Sequence, residues 1–321
     1  IVNVYVRGDS LSEFYAFIWY PLILWTLDRV TRRTSFRRVV TTALAYGGLI
    51  LTHNVSALIF SPFAVLYGLI AAARAQHLGE RNDKSTPSTA LKLGHRKLIG
   101  MFAAFALGFA LTAWFWAPAV LEIRYGQLGA AFTEGYFHYN RHFRGLDLVQ
   151  PTLLFSYRTA SSVDQAGPFS AGFIQGLLAL VGATVWFGAG LHRRRPLRHV
   201  PRSSFGPWDI RNLQPDDVSP VWYASALLIG LLIATVMITP LSKPLWAYMP
   251  LLSTTQFPWR FLSIQAVFAA ALTGAVANVA SRWSRPIAVA LVALLPVSSL
   301  GALRPDRLRV DRDDVMWDRL L

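Results

Sequence analysis

The chain has 321 residues, 54% hydrophobic and only 15% charged, with no cysteine and a net charge of +14; its mean hydropathy of +0.38 is high for a water-soluble domain of ordinary composition. The missing cysteine excludes disulfides, zinc-thiolate sites and thiol nucleophiles, so any chemistry must rest on Asp, Glu, His, Arg and Tyr. A basic balance fits nucleic acid, but in an apolar chain it more often marks loops facing anionic lipid, and the placement of the charges decides.

Long apolar stretches recur along the chain, near the roughly 20 residues that cross a bilayer core of about 30 Å. In chain order they predict helices at Ser12–Leu27, Val39–Thr52, Val55–Ala73, Leu98–Pro118, Ser170–Leu191, Val221–Thr239, Phe261–Ala280 and Pro286–Leu303. The fold class expected is all-α, a polytopic transmembrane helix bundle of about eight helices, as a single domain over residues 1–321. The second helix is short for a full crossing. With the third it flanks Thr52-His53-Asn54, as a tight helical hairpin that stops short of the far surface would. The chain starts at Ile1 with neither initiator Met nor a basic-then-apolar leader, and the reading expects a piece of a longer polypeptide.

With the first residue outside the membrane, the inner segments hold nineteen of the 31 Lys and Arg, among them Arg29, Arg32, Arg33, Arg37 and Arg38, against six acidic residues. The outer segments are left close to neutral. This is the asymmetry of the positive-inside rule, and it makes a nucleic-acid partner unnecessary. Inner loops 75–97 and 192–220, rich in Gly, Pro, Ser and charge, read as flexible connectors. The outer segment 122–169 interleaves aromatics such as Tyr139 and Phe143 with His138, His142, Arg144 and Asp147, and is expected to be ordered and functional.

Several polar groups stand where apolar spans meet that outer side. Asp9 and Glu13 are four residues apart, on one helix face, where paired carboxylates can hold a metal or act as general base; the alternative is a helix cap by Asp9 or Ser10. His53 and Asn54 either satisfy helix ends or line an aqueous cavity. Trp114-Phe115-Trp116-Ala117-Pro118 reads as an interfacial aromatic belt, with Glu122 beyond it in the same layer as Asp9 and Glu13. His138 and His142 have helical metal-ligand spacing without an HExxH context. In Ser253-Thr254-Thr255-Gln256-Phe257-Pro258-Trp259-Arg260-Phe261-Leu262, an interfacial Arg among aromatics and polar donors suits a phosphate clamp. A snorkelling Arg in an aromatic belt is the equal alternative.

Together RGDSLSEFYAFIWYPLILWTL, the LTHN hairpin, WFWAPAVLE, YNRHFRGLDLVQ and STTQFPWRFL, in that order, resemble the bacterial 6-pyruvoyl-tetrahydropterin-synthase-related membrane proteins, which look akin to the polytopic GT-C glycosyltransferases. The resemblance covers most of the chain and is most specific in QFPWRFL and the Glu-Phe-Tyr-Ala helix. The pterin label carries no chemistry here, since the soluble synthase relies on a histidine zinc site and no such cluster occurs.

The resemblance implies a transferase in a bacterial cytoplasmic membrane, moving a sugar from a polyprenyl-phosphate donor on the extracytoplasmic side. It also implies a catalytic carboxylate in an outer loop upstream of Ile1. On that reading Asp9, Glu13 and Glu122 are the candidate catalytic carboxylates, and His53, Asn54, His142, Gln256 and Arg260 the substrate-binding set. A divalent metal, magnesium or manganese, is the only cofactor in view, and membrane lipid and a lipid-linked sugar are the partners. A lipid or polysaccharide transporter and a non-catalytic assembly protein are the rivals; no convincing internal repeat supports the transporter.

Overall fold

A computed structural model describes residues 11–82, 87–122, 125, 135, 138–145, 148–155, 170–192, 220–249, 251–274 and 284–300. Within them the chain is helical. The helices are α1 (Leu11–Arg32), α2 (Phe36–Thr52), α3 (Asn54–Asn82), α4 (Pro87–Leu111), α5 (Ala113–Leu121), α6 (Phe173–His192), α7 (Pro220–Ile238), α8 (Lys243–Tyr248), α9 (Phe261–Gly274) and α10 (Ser284–Leu300). Among the described residues no strand forms, and Val149 and Ala171 make an isolated bridge.

Two packing groups share one core. Helices α1 to α4 pack on one another, as do α6, α7 and α9, and the groups meet where α3 lies on α7 and α1 on α9. Ala16, Tyr20, Ile23, Leu27, Phe60, Phe63, Phe261, Ile264 and Phe268 fill that junction. At Gly182 of α6 a Cβ would run into the Leu272 carbonyl of α9. Only glycine lets the two backbones approach that closely.

Hydrogen bonds at the helix termini show how the elements alternate. Near the start of α1, Trp19 reaches the last residue of α2, Thr52; at the end of α1, Arg32 reaches Tyr223 in the first turn of α7. Phe155 and Gln175 meet Ser298 and Ser299 at the end of α10. The arginines Arg29, Arg32, Arg33 and Arg38 thus gather at one end of the molecule, with Arg74 beside them. The starts of α1, α3 and α9 lie at the other.

Element boundaries differ from the sequence expectation in instructive places. The segment 75–97, expected as a flexible connector, is helical over 75–82 and from 87 onward. The predicted single helix Leu98–Pro118 breaks at Thr112, and α5 turns away from α4 by 68°. The Thr112 hydroxyl donates to the carbonyls of Gly108 and Phe109, diverting the ladder at the bend. A second bend, of 89°, separates α7 from the 240–248 segment, where Pro240 cannot continue the helix.

Of the described helices, Asn54–Arg74 is long and apolar enough to cross a membrane, and up to three spans result if each bent pair counts as one. Two of the other expected spans differ from it in visible ways: α1 carries Glu13, Asp28, Arg29 and Arg32, and α2 has only 17 residues.

Candidate functional site

The turn between α2 and α3 is built around His53. Its backbone N–H donates to Leu49 O (2.9 Å) and its carbonyl accepts from Ala57 N (3.0 Å), so the chain passes from one helix to the next with little unwinding. The imidazole itself caps α3, as Nδ1 accepts from the Ser56 N–H (3.1 Å) and lies 2.7 Å from the Ser56 hydroxyl. A nitrogen that accepts a backbone N–H is bare, so the ring proton sits on Nε2. Trp19 donates to the Thr52 hydroxyl at 2.8 Å and its ring lies flat against Gly48, which locks the turn to α1. Asn54 is exposed and uses its side-chain oxygen locally, accepting from Val55 N–H.

Opposite this turn runs the Ser253–Arg260 segment. Gln256 is buried and holds φ at 65°, the single positive φ outside glycine among the described residues. Such backbone is costly for a side-chain-bearing residue and persists only where the surroundings impose it. After it, Phe257 stacks on Trp259 (5.0 Å) and lies under the Arg260 guanidinium (5.4 Å). Arg260 Nη1 donates to Thr255 O at 3.2 Å, whereas its Nε is buried without a hydrogen-bond partner.

Arg260 is the hub of the cluster. Burial lowers its pKa, and the Glu13 carboxylate across from it offsets that effect. His53 is held well below its ordinary value of 6.5, at about 4, first by burial and then by the Arg260 charge. The Tyr20 hydroxyl, two turns beyond Glu13 on α1, is fully buried beside the hydroxyls of Ser56 and Ser263, within electrostatic range of Glu13, and has no hydrogen-bond partner of ordinary geometry. A carboxylate, a neutral imidazole, a phenol and a cation thus converge from α1, the α2–α3 turn and the start of α9.

The strip 138–144 contributes a wall. His142 sits edge-on to Phe257 at 4.8 Å, and Tyr139 and Phe143 pack on the buried Trp246 ring at 5.3 and 6.0 Å. The backbone N–H of Arg144 donates to Ile238 O (2.9 Å), which ties this strip to the end of α7.

Five of the eight candidate residues are therefore brought together: Glu13, His53, His142, Gln256 and Arg260. Asp9 lies outside the described residues. Glu122 caps the end of α5, exposed, with its backbone N–H on Pro118 O. Among the described residues no group of three His, Asp or Glu is placed to hold a metal. Glu13 and His53, the metal-type donors that do converge, lie within electrostatic range of the Arg260 cation, whose charge disfavours a divalent ion between them.

A second cluster, at the arginine end, escaped the sequence reading because its members belong to three helices. Asp28 accepts from Arg32 Nε at 2.6 Å and from the Tyr223 hydroxyl, while Arg32 also donates to Tyr223 at 2.7 Å. Arg74, its side chain only 6% exposed, lies 3.8 Å from Asp28 and 4.4 Å over the Tyr223 ring. The spacing of Asp28 and Arg32 by four was the signal available.

Comparison with family models, curated proteins and solved structures gives no match for this chain.

Proposed function

We propose that the chain is a polytopic membrane protein whose arginine-rich end faces the cytoplasm and whose opposite end binds the phosphate of a lipid-linked sugar, with glycosyl transfer as the reaction. The membrane part is supported by the apolar side chains that the helices present outward, such as Ile18, Leu44, Phe102, Leu180 and Leu232, because exposed apolar surface of that extent needs a lipid solvent.

The observation that carries the functional part is Arg260. Its guanidinium is pinned by Thr255 and Phe257, keeps one N–H unspent, and faces a carboxylate and a neutral imidazole. A pre-positioned guanidinium with a free donor suits a phosphate oxygen. In the reaction, Glu13 takes the proton of an acceptor hydroxyl as its oxygen attacks the anomeric carbon. The bond from that carbon to the phosphate oxygen breaks, and the departing phosphate stays on Arg260, with His53 Nε2–H as a further donor.

The test is reconstitution in liposomes with a labelled polyprenyl-phosphate sugar. Transfer to an acceptor supports the reading, and Arg260→Ala should abolish it. Translocation without transfer would favour a transporter, and unchanged turnover in Arg260→Ala would remove the clamp.

A further inference from the structure

The two bends leave two short arms at the end opposite the arginines, and among their described apolar side chains only Trp246 is buried in the core. In α5 no residue is buried; Trp114 and Leu121 are 71% and 72% exposed, and Val120 is exposed beside them. The helix is held across the line of α4 by Trp116, which stacks on Phe109 (4.2 Å) and donates to the Phe109 carbonyl at 2.9 Å. In the second arm, residues 240–251, only Ser242 and Trp246 are buried among the described side chains, and Leu241 (80%), Leu245, Tyr248 and Leu251 are exposed. Trp246 reaches back to donate to the Met237 carbonyl at 3.3 Å. The first arm has no charged residue, and the second has only Lys243, directed over the Phe143 ring at 6.0 Å.

We infer that these arms are a lipid-docking collar that lies in the plane of the membrane, seated in the headgroup region of the leaflet opposite the arginine-rich end. The inference rests on the membrane reading given above. Its occupant is lipid, because the exposed faces continue the outward apolar surface of α4 and α7, at Phe109, Leu111, Leu232 and Val236. Their content of Trp, Phe and Tyr also matches the boundary between acyl chains and headgroups. Helices bent by 68° and 89° from their neighbours lie across a bundle axis that a membrane-crossing helix would follow. An in-plane apolar segment buries its face roughly 5–10 Å into the headgroup–acyl boundary. The collar then sets the depth of the bundle and brings the end that carries Arg260 level with that layer.

The chain's lack of cysteine makes the test direct. Val120→Cys, Leu241→Cys and Leu180→Cys, each at an exposed side chain, are spin-labelled singly in the full chain reconstituted in liposomes. Depth is read from accessibility to oxygen against a water-soluble nickel chelate. Labels at 120 and 241 in lipid, at similar depths and both shallower than 180, are the expected result. A label at 120 or 241 as deep as 180 would make the bent pair a broken span and overturn the collar. Water exposure at 120 and 241 with 180 in lipid would overturn the collar alone, and water exposure at 180 would overturn the membrane reading with it.

Discussion

Burial holds the His53 imidazole neutral, and the Arg260 charge adds to that effect. Two residues from opposite halves of the chain thereby share one electrostatic site with Glu13, which favours the charged form of the same arginine.

On the proposed reading Arg260 holds phosphate through its planar fork, so charge alone should not replace it. Arg260→Lys is expected to keep the fold yet lose roughly tenfold to hundredfold in transfer rate, as the loss of about 1.4–2.7 kcal/mol of charge-assisted hydrogen bonding implies. Initial rates at saturating acceptor, alongside the melting temperature in detergent, check this; equal rates for Lys and Arg would refute it.

The strained backbone at Gln256 predicts a separation of stability from activity. Gln256→Gly relieves a conformation costing on the order of 1–3 kcal/mol, and is expected to leave stability equal or higher while weakening phosphate binding through loss of the Gln side chain. Paired thermal unfolding and product inhibition by a polyprenyl phosphate decide. A clear drop in stability would mean that side-chain contacts outweigh the strain.

His53 sets an acid limit. Its folded pKa of about 4 lies below its ordinary 6.5, so as pH falls through that window the unfolded chain takes up a proton that the folded chain refuses. Stability from this group is whole above about pH 6.5 and declines toward pH 4. His53→Gln should flatten that part of the pH profile of the melting temperature, and an unchanged slope would exclude the coupling.

At the arginine end, breaking and trimming should differ. Asp28→Asn leaves the buried Arg74 without its counter-charge and is expected to cost about 3–5 kcal/mol, whereas Tyr223→Phe removes one hydroxyl and should cost about 1 kcal/mol. Chemical unfolding in detergent measures both. Equal losses would mean that Tyr223, rather than Asp28, holds the cluster.

Trp246 anchors the strip from His138 to Arg144. Trp246→Ala is expected to destabilise by about 3–5 kcal/mol and to open the Arg141 and Arg144 bonds to trypsin. Protection equal to the unsubstituted chain would show the strip is held elsewhere.

Helical class, and which side chains are apolar, are local properties, and the sequence alone was enough for them: apolar runs without strand periodicity dictated α-helix nearly everywhere the expectation placed it. Tryptophans around residue 114 and the Arg260 segment stood out because their composition departs from that of the spans. What only the tertiary structure decided was which polar residues meet. Glu13, His53 and Arg260 are unremarkable one at a time, and they form a site because packing of α1, α3 and α9 brings their ends to one face of the molecule. The Asp28 cluster was hidden for the same reason, since its partners Arg74 and Tyr223 are distant in the chain; the bend at Thr112 was hidden because a threonine reads alike whether or not its hydroxyl turns onto the carbonyls of its own helix.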